Sequence, residues 1–128
     1  MRLWHEDLIP QLPRQQLLGQ HRECCALRGR GWGKKHSVVD YVFQYAIEKL
    51  EDYHFLVMKE MERRGYTPNT LWWLRGYRGK SYTNQVKFID FIENDGSKVY
   101  LEHNQEYLKE CLANLKAKGI ELNWGSEA

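Results

Sequence analysis

Three stretches of the chain carry apolar residues at helical spacing, each with a recognisable start and stop. The first begins at Pro13, which suits the opening turn of a helix, and ends at Gly29, which suits its close. At about 100° per residue, Leu17, Cys24 and Leu27 form one side of an apolar arc, and Leu18 and Cys25 the other. The second pattern runs from Val38 to Arg64. Ser37 serves as its N-cap with Asp40 three residues on, and Gly65 is its stop. Val42, Tyr45, Ala46, Leu50, Tyr53, Val57 and Met61 recur there at steps of three or four, with a break expected near Lys49. The third pattern has Asn104 as N-cap, Tyr107, Leu108, Cys111, Leu112 and Leu115 on one face, and Gly119 as its end.

Residues 66–98 are irregular. Pro68, Gly76, Gly79, Gly96 and the run NDGS favour loops and turns, and VKFIDFI is too short to be assigned to strand or helix. The pattern predicts an all-α fold: a compact three-helix single domain spanning residues 1–128, with an irregular basic-aromatic insert between the second and last helices.

The first helix does not have a clean apolar stripe. His21 and Arg28 fall inside the apolar arc, and Glu23 falls at its edge near Gln16 and Gln20. A buried charge costs several kcal/mol unless it is paired. Either this face opens into a cleft, or its charges neutralise one another.

Composition narrows the class. At 42% hydrophobic and 28% charged residues the chain is globular in character. It has no apolar run near the ~20 residues of a membrane span and no signal-peptide core at its start, so a cytoplasmic protein is expected. The three cysteines include the adjacent pair Cys24 and Cys25, which suits reduced thiols packing as small hydrophobes. With no Cys-x-x-Cys, and with His36, His54 and His103 sharing no ligand spacing, neither a metal nor any other cofactor is expected.

Net charge is only +2, but the charges are segregated. Residues 63–87 hold six Lys/Arg and no carboxylate, together with Tyr66, Trp72, Trp73, Tyr77 and Tyr82. Such a block suits phosphate contact and base stacking; equally, its aromatics could pack onto the helices while its charges face water. GRGWGKK at 29–35 is a Gly-rich basic loop without the spacing of a P-loop, although Lys34 and Lys35 could touch a phosphate.

Glu23, next to Arg22, lies on a helix that starts close to the amino terminus, so its carboxylate could face the terminal α-amine. That amine has a pKa of about 7.7–8.0, against about 10.4 for Lys, and is a usable nucleophile near neutral pH. Arg-Glu neighbours are also ordinary solvated surface.

MRL…QLLGQHRECCALRG, KLEDYHFLVMKEMERRGY and VYLEHNQEYLKECLANLKAKG together resemble the pyrimidine-dimer DNA glycosylase family, of the endonuclease V type with AP lyase activity. The resemblance covers roughly half of the chain and rests on the order and spacing of its parts. It implies an all-α protein that binds lesion-bearing double-stranded DNA, bends it and flips a nucleotide out, without a cofactor. In that family a terminal Thr α-amine attacks C1′ of the damaged nucleotide, a helix glutamate is catalytic, and neighbouring arginines hold phosphates. Carried over by position, Glu23 is the catalytic carboxylate, Arg22 its partner, and Arg2 the arginine that follows the terminus. Arg2 is bulky enough to block removal of Met1, so the nucleophile here is the α-amine of Met1. Arg28, Lys34, Lys35, Arg75, Arg78 and Lys80 are the further expected DNA contacts.

The chain departs from the family where a helix His is replaced by Gln16 and an Arg after the Glu by Ala26. The basic-aromatic tail shrinks to ELNWGSEA. The expectation is a monomeric, nucleoid-associated repair glycosylase that does not touch membranes. The alternative is a nucleic-acid-binding module on the same scaffold without catalysis. A nuclease of another mechanism would want a carboxylate cluster for magnesium, and no such spacing is present.

Overall fold

The computed structural model describes residues 2–34, 39–79 and 98–122. Within them are three α-helices, α1 (Arg14–Arg28), α2 (Ile47–Arg63) and α3 (Gln105–Ala117), and three short 3-10 turns at Glu6–Gln11, Asp40–Gln44 and Thr70–Trp73. The chain is all-α, as its periodicity predicts.

The helix ends follow the local signals. The Asn104 side chain accepts from the Tyr107 amide at 3.0 Å and caps α3. Both α2 and α3 close with a Schellman motif. Tyr66 N donates to Met61 O and Ile120 N to Leu115 O, and Gly65 (φ +93°) and Gly119 (φ +82°) supply the left-handed residue that makes each turn possible.

The second element differs from its expected form. In place of a helix from Val38, the chain makes a 3-10 turn at Asp40–Gln44, extends through Tyr45 and Ala46, and enters α2 only at Ile47. Ser37, its expected cap, lies outside the described residues. The β-branched and aromatic residues of this stretch are poor helix formers, and tertiary partners hold them elsewhere. Tyr45 donates to the Glu102 carboxylate at 2.9 Å, Lys49 Nζ to Val99 O at 2.6 Å, and Tyr41 OH meets His103 Nε2 at 2.9 Å. The break falls before Ile47 because segment 98–103 claims the side chains on either side of it.

α1 and α2 pack against each other. The N-terminal segment lies in the core beside them, with Leu3, Trp4, Leu8, Ile9 and Leu12 buried. α3 contributes Leu108, Cys111 and Leu115 to the same core, and the Tyr107 hydroxyl donates to Leu3 O. Burial of this kind is worth about 1.5–3 kcal/mol for each large apolar side chain. The amino terminus is thus held in the interior of the fold from residue 3 onward.

A cluster of neutral histidines supports that placement. His103 Nδ1 accepts from the Glu6 amide at 3.2 Å, which leaves Nε2 protonated toward Tyr41. Burial lowers its pKa to about 3. Burial also lowers His5, His21 and His54 from their ordinary range. The unfolded chain binds protons on these rings below about pH 6.5, whereas the folded chain resists them. Their contribution to stability is therefore complete above that pH and is lost as pH falls toward 3. For His103 alone the loss between pH 6.5 and pH 5 should be about 2 kcal/mol. The urea midpoint should fall clearly between pH 7 and pH 5, and an unchanged midpoint would mean that the rings are not held neutral.

Candidate active site

Gln20 lies on the inner side of α1 and is 1% exposed. Three of the hydrogen-bonding positions of its side-chain amide are filled, and the fourth faces a hydroxyl. Oε1 accepts from Trp4 N at 2.7 Å, and the Tyr53 hydroxyl lies 2.9 Å from the same atom. Nε2 donates to Arg2 O at 3.1 Å and to Glu23 Oε2 at 3.1 Å. The two backbone partners fix which atom is oxygen and which is nitrogen, since a peptide N–H needs an acceptor and a peptide C=O needs a donor. The single hydrogen of the Tyr53 hydroxyl, on α2, goes to the nearer Trp4 O at 2.6 Å, so toward Gln20 Oε1 the hydroxyl is a close polar neighbour and not a second donor.

One amide therefore joins the backbone at residues 2 and 4 to the Glu23 carboxylate. On a helix, positions three apart share a face, which is why Gln20 and Glu23 reach the same place. Glu23 is half-buried, while Arg22, one position round the helix, points to solvent. Arg2 is directed the other way. Its guanidinium lies 3.3 Å from Glu110 and 5.9 Å from the centres of both the Trp4 and Tyr107 rings. A carboxylate held beside the start of the chain can accept or return a proton there, or stabilise a positive charge that develops there.

The other expected site residues take different positions. Lys34 is exposed. Arg28, expected to meet DNA, has no exposed surface. Its Nη1 donates to Trp72 O at 2.7 Å and faces His54 Nδ1 at 3.0 Å, and its Nη2 donates to Leu74 O and Tyr77 O. Nη2 also lies 3.7 Å from Glu51, itself buried. A surface phosphate cannot reach this guanidinium, which instead ties loop 72–77 to α1. Arg75 is paired with Glu51 and Asp52, at 3.1 and 2.5 Å. Arg78 donates to Arg28 O and Gly29 O at 2.8 and 2.9 Å. Met1, Lys35 and Lys80 lie outside the described residues, as does Tyr82.

The aromatics of the basic block, as far as residue 79, pack inward. Trp73 stacks on Phe55, and Trp72 lies edge-on to Tyr77 and beside His54. Of the two arrangements open from composition, the described part adopts the packed one.

A family model for pyrimidine dimer DNA glycosylase matches residues 1–74. The chain belongs to that family. The match spans the buried N-terminal segment, α1 and α2, and so contains Arg2, Gln20, Arg22, Glu23 and Tyr53 together. No curated protein and no solved structure matches the chain. Membership makes this a DNA-repair glycosylase, a protein of damaged DNA. No helix among the described residues is long and apolar enough to cross a membrane.

Gln20 and Tyr53 are the site residues that sequence pattern alone does not single out. The proximity of Gln20 to Glu23 is visible on the helical wheel, but nothing local marks the amide as the group that reaches residues 2 and 4. Replacing Gln20 with Met keeps the length of the side chain and strands the Trp4 N–H and the Arg2 carbonyl, at about 1–3 kcal/mol for each buried group. Gln20→Met should lower stability by about 3 kcal/mol in urea denaturation, whereas Arg22→Ala should stay within about 0.5 kcal/mol.

Proposed function

We propose that the chain is a glycosylase with AP lyase activity, acting on pyrimidine-dimer-type lesions in double-stranded DNA. In this reading the α-amine of Met1 is the nucleophile and Glu23 the catalytic carboxylate, with Arg22 beside it. The observation that carries the reading is the Gln20 amide, which donates both to the carbonyl of residue 2 and to Glu23. Family membership over residues 1–74 supports it.

The chemistry follows from the amine. Its nitrogen attacks C1′ of the damaged nucleotide, the glycosidic bond breaks, and the sugar opens to an imine on the protein. β-Elimination then breaks the C3′–O bond, and hydrolysis of the imine frees the amine. Ring opening needs a proton at the sugar oxygen, and the imine is cationic; a carboxylate at this position serves both steps. The protein works as a monomer, associated with the nucleoid in the cytoplasm, and the reaction at the amine itself needs no cofactor. The exposed Arg22 and Lys34 are phosphate contacts, with Lys35, Lys80, Arg2, Arg75 and Arg78 adding to the positive field.

Borohydride reduction in the presence of abasic-site DNA should give a covalent adduct, which peptide mapping places on the Met1 nitrogen. An adduct on a lysine, or none, would count against this nucleophile.

Glu23→Gln keeps size and removes the charge. Strand cleavage at an abasic site should fall by about 10²-fold or more, the usual scale of acid-base assistance. DNA binding should hold or tighten, because a negative charge leaves a phosphate-facing surface. A folded Glu23→Gln protein that cuts at the unchanged rate would leave a binding module as the better description.

A further inference from the structure

α1 carries a second constellation on its other side. His21 and Cys25, four positions apart, share one face of the helix, and His54 of α2 lies opposite them. Cys25 Sγ is 3.8 Å from His21 Nε2 and 3.9 Å from His54 Nε2, and His21 Nδ1 is 2.8 Å from His54 Nε2. One donor atom from each of the three residues falls within 4.8 Å of the other two. Glu23 is two positions from both His21 and Cys25, about 200° round the helix, so this cluster is separate from the site on Gln20.

We propose that His21, Cys25 and His54 bind one zinc ion that clips α1 to α2. Two imidazoles and a thiolate are zinc ligands and poor ones for magnesium or calcium. Around a tetrahedral zinc with bonds of about 2.3 Å to sulfur and 2.0–2.1 Å to nitrogen, the S···N edge is about 3.5 Å. With His21 binding through Nε2, the two observed S···N edges need to close by only a few tenths of an ångström, and the 2.8 Å contact from His21 Nδ1 to His54 Nε2 must open as both rings turn to the metal. His21 and Cys25 are half-buried and His54 is fully buried, so the site is shielded on the α2 side and open on the other, where a fourth ligand would enter.

The protons balance. A cysteine thiol is protonated at neutral pH, so coordination forms a Zn–S bond and releases one proton to solvent. As placed here, His54 Nδ1 accepts from Arg28 Nη1 at 3.0 Å and Nε2 carries the hydrogen. Coordination through Nε2 moves that hydrogen to Nδ1, with no net release. Arg28 Nη1 must then give up the imidazole, and it already has Trp72 O at 2.7 Å. Since His54 Nε2–H faces His21 Nδ1, the hydrogen of His21 is on Nε2, and coordination through that atom moves it to Nδ1, again with no net release.

The test is a titration of the purified, chelator-treated full chain with cobalt(II), a spectroscopic stand-in for zinc. One equivalent should bind with a thiolate-to-cobalt charge-transfer band, release about one proton at pH 7 and be displaced by zinc. Cys25→Ser should abolish the band. Cys25→Ser and His21→Gln should each weaken binding by at least about 100-fold, beyond the 10–100-fold typical of losing an outer-shell partner. Cys111→Ser, in α3, should leave the band intact. Absence of stoichiometric binding by the unmodified chain overturns the proposal, as does a thiolate band that survives both Cys25→Ser and His21→Gln.

Discussion

The Gln20 amide is the interaction on which the arrangement of the amino terminus depends. A chain end ordinarily frays, because its few contacts do not offset the entropy of ordering it. Here a buried amide takes an N–H from residue 4, gives one to the carbonyl of residue 2 and gives another to Glu23. Tyr53 of α2 donates to the carbonyl of residue 4 and lies against the same amide oxygen. Each of these groups would cost free energy if buried unpaired, so the set is satisfied together or not at all. A carboxylate on one element is thereby registered against the backbone of another to within the tolerance of hydrogen bonds.

The apolar packing of residues 3–12 acts in the same direction. Leu3, Leu8 and Leu12 are buried, and Arg64 at the end of α2 donates to Leu12 O and Pro10 O at 2.8 and 3.0 Å. His103 and Glu6 link the segment to the stretch before α3 through Glu6 N–His103 Nδ1 and Val99 N–Glu6 Oε2. Three parts of the chain far apart in sequence thus hold residues 3–12 from different sides.

Polar residues on the inner arc of α1 now have separate explanations. Gln20 registers the terminus. Arg28 gathers the carbonyls of loop 72–77 with Glu51 as its counter-charge, which brings the Trp72 and Trp73 loop down on α2. His21 lies between Cys25 and His54. The charges inside the arc are neutralised by partners from α2 and its following loop, while Glu23 keeps one side toward solvent.

The sequence by itself determined the all-α class, the extent of α1 and α3 and the stops at Gly65 and Gly119, because capping residues and 3.6-residue periodicity act within a few positions of themselves. The resemblance that pointed to Arg22 and Glu23 is borne out as to family by the match over residues 1–74. Tertiary structure alone decided where α2 begins, since Tyr41, Tyr45 and Lys49 are claimed by partners fifty or more residues away. It alone decided that Arg28 is interior and Arg75 paired, because an arginine reads as surface charge until the carbonyls and carboxylates around it are placed. Gln20 belongs with these. Which backbone groups an amide will reach depends on how a segment folds back across a helix, and no local pattern records that path.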